Sequence, residues 1–195
     1  MFIELTDHLR CPEPHDEQYL VLLPGAAEQR RVRTGELGCP VCGRVWALVD
    51  GVFDAGGGSV PADDAAAVSA DALIAFAGLN GPGGYLVLAG TAASRWREVQ
   101  AQLPGVGLVA WNPPATILDE PGVSVLRGKV LPLKRNSMRG VLLGGEQSRD
   151  LDAVRDALRV TLPGLRVAGE GPAPAGERME LLAEGGGWWV GTKKA

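Results

Sequence analysis

The chain has 195 residues, 46% of them hydrophobic and 22% charged, with a formal net charge of −4 and an isoelectric point near 5.2. That length buries one good core, or a core with a small appended module, and the acidic balance excludes a general electrostatic pull toward nucleic acid or an anionic membrane. No run approaches the roughly 20 apolar residues that span a bilayer, and the opening residues, with Glu4, Asp7 and His8, lack a signal-peptide pattern. The expectation is a cytoplasmic protein with no membrane segment.

Residues 1–56 hold all three cysteines and both histidines and run into the triplet Gly56, Gly57 and Gly58, a linker composition. Residues 62–195 contain neither Cys nor His and are rich in Ala, Gly, Leu and Val. A domain boundary is therefore expected between Asp54 and Pro61. In the first part, 19–23 and 44–49 read as short strands, with Asp50-Gly51 as a tight hairpin turn before Val52 and Phe53.

In the second part Asp63 and Asp64 signal the start of an Ala-rich helix carrying Val68, Leu73, Phe76 and Leu79, which 80–84 breaks. Segment 85–89 is a continuous apolar run of buried-strand type, and Gly90-Thr91 leads into a helix over 93–103. Strands follow at 107–111, 123–127 and 140–143. A helix over 150–162 puts Leu151, Val154, Leu158 and Leu162 on one face, and a Pro163-Gly164 turn opens the strand 165–168. Segments 178–182 and 188–192 read as a closing hairpin, with Trp188 and Trp189 facing opposite sides. Strands alternating with helices predict an α/β fold: a small β-rich module, then a Rossmann-like domain with a mostly parallel sheet and an antiparallel C-terminal hairpin. The basic residues Arg30, Arg31, Arg33, Lys129, Lys134, Arg135 and Arg139 are interrupted by apolar ones. They read as solvated strand faces and not as a nucleic-acid patch.

Cys39-Pro40-Val41-Cys42-Gly43 has the form of a zinc knuckle. Two intervening residues let both thiolates converge on one ion, and the glycine admits the turn whose N–H groups point at them. Upstream, Cys11-Pro12-Glu13-Pro14-His15 supplies a second half. Cys11, Cys39 and Cys42 are three ligands of a tetrahedral Zn²⁺, with His15 preferred over His8 as the fourth. A redox Cys-x-x-Cys opens a helix after a strand; this one precedes a strand and leaves no open position, so a structural ion is expected.

The residues Leu9-Arg10-Cys11-Pro12, the segment from Gly35 through Gly43, and Val49-Asp50-Gly51-Val52 resemble the zinc-ribbon proteins that activate tRNA and protein methyltransferases. Pro14 stands where that family has a second cysteine, with His15 one place later. The remainder is similar to class I S-adenosylmethionine-dependent methyltransferases: Gly84 to Thr91 matches their first strand and loop, 131–144 the approach to the fourth strand, and 157–168 a later helix, turn and strand.

That resemblance implies an acid and glycines in the first loop, a ribose-binding acid after the second strand and an acid near the adenine. Here the first loop has Gly90 and Thr91 with no acid, the ribose position falls on Trp111-Asn112, and the adenine position falls on Gly128-Lys129. All three departures run against cofactor binding; a retained site would use Gly90, Thr91 and Asn112. Asn112-Pro113-Pro114 is similar to a methyltransferase amine-binding motif, but Ala115 replaces its aromatic residue, and a turn is the simpler reading. No Ser/His/Asp or Cys/His catalytic set can be assembled in the second part, which lacks both His and Cys. The expectation is a non-catalytic, methyltransferase-like protein. Its structural zinc ribbon packs in cis or offers an apolar surface to another protein; the rival is an active methyltransferase with a divergent cofactor loop.

Overall fold

The computed structural model describes residues 1–61 and 66–194. The helix signal at Asp63 and Asp64 lies outside the described residues. The N-terminal part comprises a 3-10 helix over Ile3–His8 and strands β1 (Val21–Pro24), β2 (Ala27–Glu28), β3 (Arg31–Val32), β4 (Gly35–Gly38), β5 (Val45–Val49) and β6 (Val52–Asp54). Then follow α1 (Ala70–Ala77), β7 (Tyr85–Gly90), α2 (Trp96–Gln102), β8 (Gly107–Trp111), β9 (Val123–Arg127), β10 (Met138–Gly144), α3 (Leu151–Val160), β11 (Thr161–Glu170), β12 (Met179–Gly185) and β13 (Trp188–Lys193).

Local chemistry accounts for most boundaries. Asp50 and Gly51 both take positive φ (50° and 78°), the requirement of a type I′ turn, and join β5 to β6 with Val49 opposite Val52. The Ser69 side chain accepts from the Ala72 N–H at 3.3 Å, and α1 ends on Gly78 in the left-handed region. The Asp150 carboxylate accepts from the Asp152 N–H to cap α3. Strand β4 was not anticipated: Gly35-Glu36-Leu37-Gly38 has no alternating apolar pattern, and it is extended because β1 and β5 pair with its two edges. The helix expected over 93–103 is split. Residues Thr91–Arg95 form a 3-10 turn, and only Trp96–Gln102 is α-helical.

Among the described residues one 11-stranded sheet has the order β1-β4-β5-β6-β9-β8-β7-β10-β11-β13-β12. Pairing is parallel from β6 through β9, β8, β7 and β10 to β11, and antiparallel at β11–β13 and β13–β12. This is the expected Rossmann-like α/β arrangement, with the strand order reversing between β7 and β10. The central strands are apolar on both sides because both faces are covered. Leu86, Leu88, Leu108 and Ala110 pack with α1 and α2 residues such as Leu73, Trp96 and Val99. Val87, Ala89, Val109 and Trp111 pack on the other face, where Val154 and Leu158 of α3 are joined by Leu5, Leu9 and Leu20 from the N-terminal part. Trp188 and Trp189 fall one in each core.

The N-terminal strands extend the same sheet. Phe53 stands opposite Leu126 and Asp54 opposite Arg127, in parallel. A buried carboxylate reinforces this junction: Asp119 Oδ1 lies 2.6 Å from Arg31 Nη2 and 3.4 Å from Arg33 Nη1, with the aspartate side chain fully buried. It also accepts from the Met1 nitrogen at 2.6 Å, while Arg31 Nη2 donates to the Val123 carbonyl at 2.7 Å. Removing the carboxylate leaves the buried Arg31 guanidinium and the buried Met1 ammonium without their counter-ion, while Arg33 is partly solvated. Asp119→Ala is expected to cost about 3–5 kcal/mol in urea unfolding, whereas Arg30→Ala, which loses only the exposed pair with Glu4, stays within about 0.5 kcal/mol.

Candidate functional site

Cys11 closes the first half of the cysteine cluster. Arg10 bridges Tyr19 and the Cys11 N–H donates to Gln18 O at 2.8 Å, pinching the residues between into a loop. Inside it, His15 Nδ1 lies 2.7 Å from Asp16 O. A carbonyl can only accept, so the ring proton sits on Nδ1 and Nε2 keeps its lone pair for a ligand role. The second half is the turn after β4. Cys39 N–H donates to Arg44 O (2.8 Å), Gly43 N–H donates to Cys39 O (3.0 Å), and Gly43 supplies the positive φ of 72° that the turn requires. The Arg44–Glu13 ion pair at 2.6 Å ties the halves together.

Cys11, His15, Cys39 and Cys42 are brought together, with all four ligand atoms within 4.8 Å of one another. His8 is not among them; its ring packs edge-on against Tyr85, centroids 5.5 Å apart. The donor set fits a tetrahedral ion. Zinc bond lengths imply about 3.8 Å between two sulfurs and about 3.5 Å between sulfur and nitrogen. Cys11 Sγ and Cys42 Sγ are 3.8 Å apart, and Cys39 Sγ and His15 Nε2 are 3.5 Å apart. Cys11 and Cys39 are buried, and Cys42 is exposed.

Without an ion the thiols divide their charge unequally. Burial, then the neighbouring thiols, push Cys11 up to about 12. Burial also acts to raise Cys39, but the N–H groups of Cys42 and Val41 and the adjacent thiols outweigh it and hold Cys39 at about 6. A divalent cation would favour the thiolate at all three positions.

The second candidate region is the carboxyl end of the parallel strands, where such sheets bind ligands at the switch in strand order. A cavity of about 270 Å³ remains there, lined by Trp111, Asn112, Lys129, Gln147 and Asp150 among others, smaller than the roughly 300–1,000 Å³ of ordinary ligand pockets. Gly90 and Thr91 do not line it. Gly90 lies so close to Gly144 O, and Gly144 to Ala92 N and Thr91 Oγ1, that neither glycine could carry a Cβ without a shift. Asn112, 2% exposed with φ of 46°, is consumed internally. Its amide donates to Gly128 O and accepts from Gly128 N–H, each at 2.9 Å, which makes Asn112-Pro113-Pro114 a turn held to the exit of β9. The glycine triplet runs over the same strand ends. Lys129 N–H donates to Gly56 O (3.0 Å), and Gly58 lies against Asn112 Oδ1 and Gly128 N, leaving no room for a side chain.

These residues do not fit S-adenosylmethionine: the first loop presents no carboxylate, the ribose position is spent on Gly128, and the chain itself crosses the strand ends. Sequence reading missed this crossing, although a run of three glycines is the signal a close backbone approach leaves. It also missed Gln147, whose Oε1 lies buried without a partner in the cavity wall.

No protein-family model matches the chain, and no curated protein matches it. Among solved structures it is similar to geranyl diphosphate methyltransferase in complex with GPP and sinefungin, at 18% identity and a TM-score of 0.43 over 51% of this chain and 42% of that one. It is similar to a chain of the "Complex between the Haloferax volcanii Trm112 methyltransferase activator and the putative methyltransferase", at 18% identity and a TM-score of 0.41 over 51% and 50%. A third likeness is to the [4+2]-cyclase SpnF, at 14% identity and a TM-score of 0.47 over 67% and 65%. The chain spans half or less of the length of the first two.

Asn112→Ala leaves the Gly128 N–H unpaired, while the Gly128 carbonyl keeps Trp111 Nε1 as a donor at 3.2 Å, and is expected to lower stability by about 1–3 kcal/mol in urea unfolding. A side chain reserved for a ligand would leave stability unchanged.

Proposed function

We propose that this is a non-catalytic, methyltransferase-like protein in which residues 1–56 form a structural zinc ribbon packed in cis on a Rossmann-like domain of residues 62–195, with an interaction or scaffold role. The observation that carries the reading is the obstruction of the switch-point cleft by the chain's own Gly56–Gly58 segment and by the Asn112–Gly128 clasp, on a sheet otherwise kept intact. Calorimetry with S-adenosylmethionine tests it. No heat is expected up to millimolar cofactor. Micromolar binding abolished by Gly90→Arg would favour the active-enzyme reading, for which the unpartnered Gln147 acceptor beside Glu146 and Asp150 is the supporting feature.

Zinc is the ion we assign to Cys11, His15, Cys39 and Cys42, on the tetrahedral spacing and the sulfur-rich donor set. Bound there, it would act structurally, joining the loop of Cys11 and His15 to the turn of Cys39 and Cys42. Metal analysis of purified protein is expected to give about one zinc per chain. His15→Ala should lower that content, and chelation should reduce Tm by more than about 5 °C. His8→Ala should leave zinc content unchanged, and a loss of zinc in that variant instead would move the fourth ligand to His8.

An interaction role is supported by the outer face of the ribbon. Val21 and Leu23 of β1 share a face with Val45 and Ala47 of β5 across β4, and Val21, Leu23, Val45 and Val49 are each more than half exposed. Exposed apolar side chains gathered on one sheet face, here around Glu36 and Gly38 of β4, are a feature of protein contact surfaces. No helix among the described residues is long and apolar enough to cross a membrane, and three unpaired cysteines accord with the proposed cytoplasmic location.

A further inference from the structure

A second cavity, of about 880 Å³, opens on the opposite end of the sheet, at the amino ends of β10 and β11. Six cations line it, Arg135, Arg155, Arg159, Arg178, Lys193 and Lys194, against a single carboxylate, Glu177. That carboxylate is already engaged by Arg155 Nε at 3.1 Å. In a chain whose formal net charge is −4, so one-sided a wall is a local reversal of the overall field.

Arg155 is paired with Glu177 and Asp152, and the other five cations fall into two groups. Arg159 and Lys193 are held rigidly. Arg159 Nε donates to Asp156 (2.8 Å), and its terminal nitrogens donate to the carbonyls of Leu133 (2.5 Å) and Leu131 (2.7 Å). Lys193 Nζ donates to Asn136 Oδ1 (2.5 Å), Arg159 O (3.1 Å) and Thr161 O (2.8 Å). All three acceptors on Lys193 are neutral, so its charge is solvated by protein dipoles and left uncompensated. Burial, followed by the charges of Arg135 and Arg159, accordingly holds Lys193 below the ordinary lysine range. Arg135, Arg178 and Lys194 form the second group: exposed, with no side-chain ion pair among the described residues, they are available to a ligand.

We propose that this cavity binds a compact anion carrying two adjacent phosphoryl groups. Two free guanidinium groups suit tetrahedral phosphoryl oxygens, which they bind bidentately. Lys193 adds a fixed positive charge that costs no ordering on binding, while the charge of Arg159 is largely met by Asp156 at 2.8 Å and Glu17 at 3.7 Å. A single carboxylate or phosphate leaves most of this charge unused. A nucleic-acid strand fits poorly, since the charge is confined to one cavity and no aromatic side chain among the lining residues offers a base a stacking surface.

Isothermal titration with inorganic pyrophosphate tests the assignment in the full chain. Submillimolar binding is expected, about tenfold tighter than for orthophosphate or citrate. Arg135→Gln combined with Arg178→Gln should weaken it by at least about tenfold, with zinc content and circular dichroism unchanged because neither side chain holds the fold. Arg30→Gln, a charge loss elsewhere, should have no effect. No heat up to about 10 mM pyrophosphate overturns the proposal. So does citrate binding as tightly, which would make the site a general polyanion sink, or binding untouched by the double variant. Tighter capture of a single-stranded RNA with a steep salt dependence would overturn it in favour of nucleic acid.

Discussion

The direction of one strand pair governs the rest of the molecule. β6 runs parallel to β9, so the chain leaves the N-terminal part at the carboxyl end of the central sheet, where a Rossmann-like fold holds its ligand. The segment after β6 then has nowhere to go but across those strand ends. Its three glycines let it lie flat on Gly128 and Asn112. An antiparallel β6 would have delivered the same segment to the other end and left the cleft open.

That pairing is short, two residue pairs, and it persists because the surroundings determine it. Asp119 draws Arg31 and Arg33 into the junction, and Leu5, Leu9 and Leu20 cover a sheet face that helices cover elsewhere. The N-terminal part is thus both cover and extension of the sheet. The cysteine cluster lies in the outer loops of this cover, where Cys42 is exposed and His15 partly so.

Charge is arranged by region. Positive charge gathers at the amino ends of β10 and β11, from residues spread between Arg135 and Lys194, while the carboxyl-end cavity presents Glu146 and Asp150 with Lys129 alone opposing them. The two ends of the sheet thus carry cavities of opposite charge balance.

The order of elements was legible because it depends on local rules. Continuous apolar runs at β7 and β8, the Asp50-Gly51 turn and the Asp150 cap each act over a few residues, and the spacing of Cys39 and Cys42 dictates their convergence at short range. Cys11 with Cys39 and Cys42 could be read from their type, and the choice of His15 over His8 from spacing, since His15 stands four residues from Cys11 in one tight loop. Strand β4, the split after Gly90, the path of Gly56 to Gly58 and the gathering of six cations could not. Strand β4 depends on pairing with β1 and β5 and not on a pattern of its own, and the others depend on partners more than 20 residues away in sequence, such as Gly58 on Gly128 or Arg135 beside Lys193. By itself the sequence determined most of the strands and helices of the central sheet and their order, and it singled out the cysteines and the histidine that meet in one cluster; tertiary structure alone decided which strand end the chain crosses and which charges meet, because pairing direction and long-range proximity leave no periodic trace in the residues that obey them.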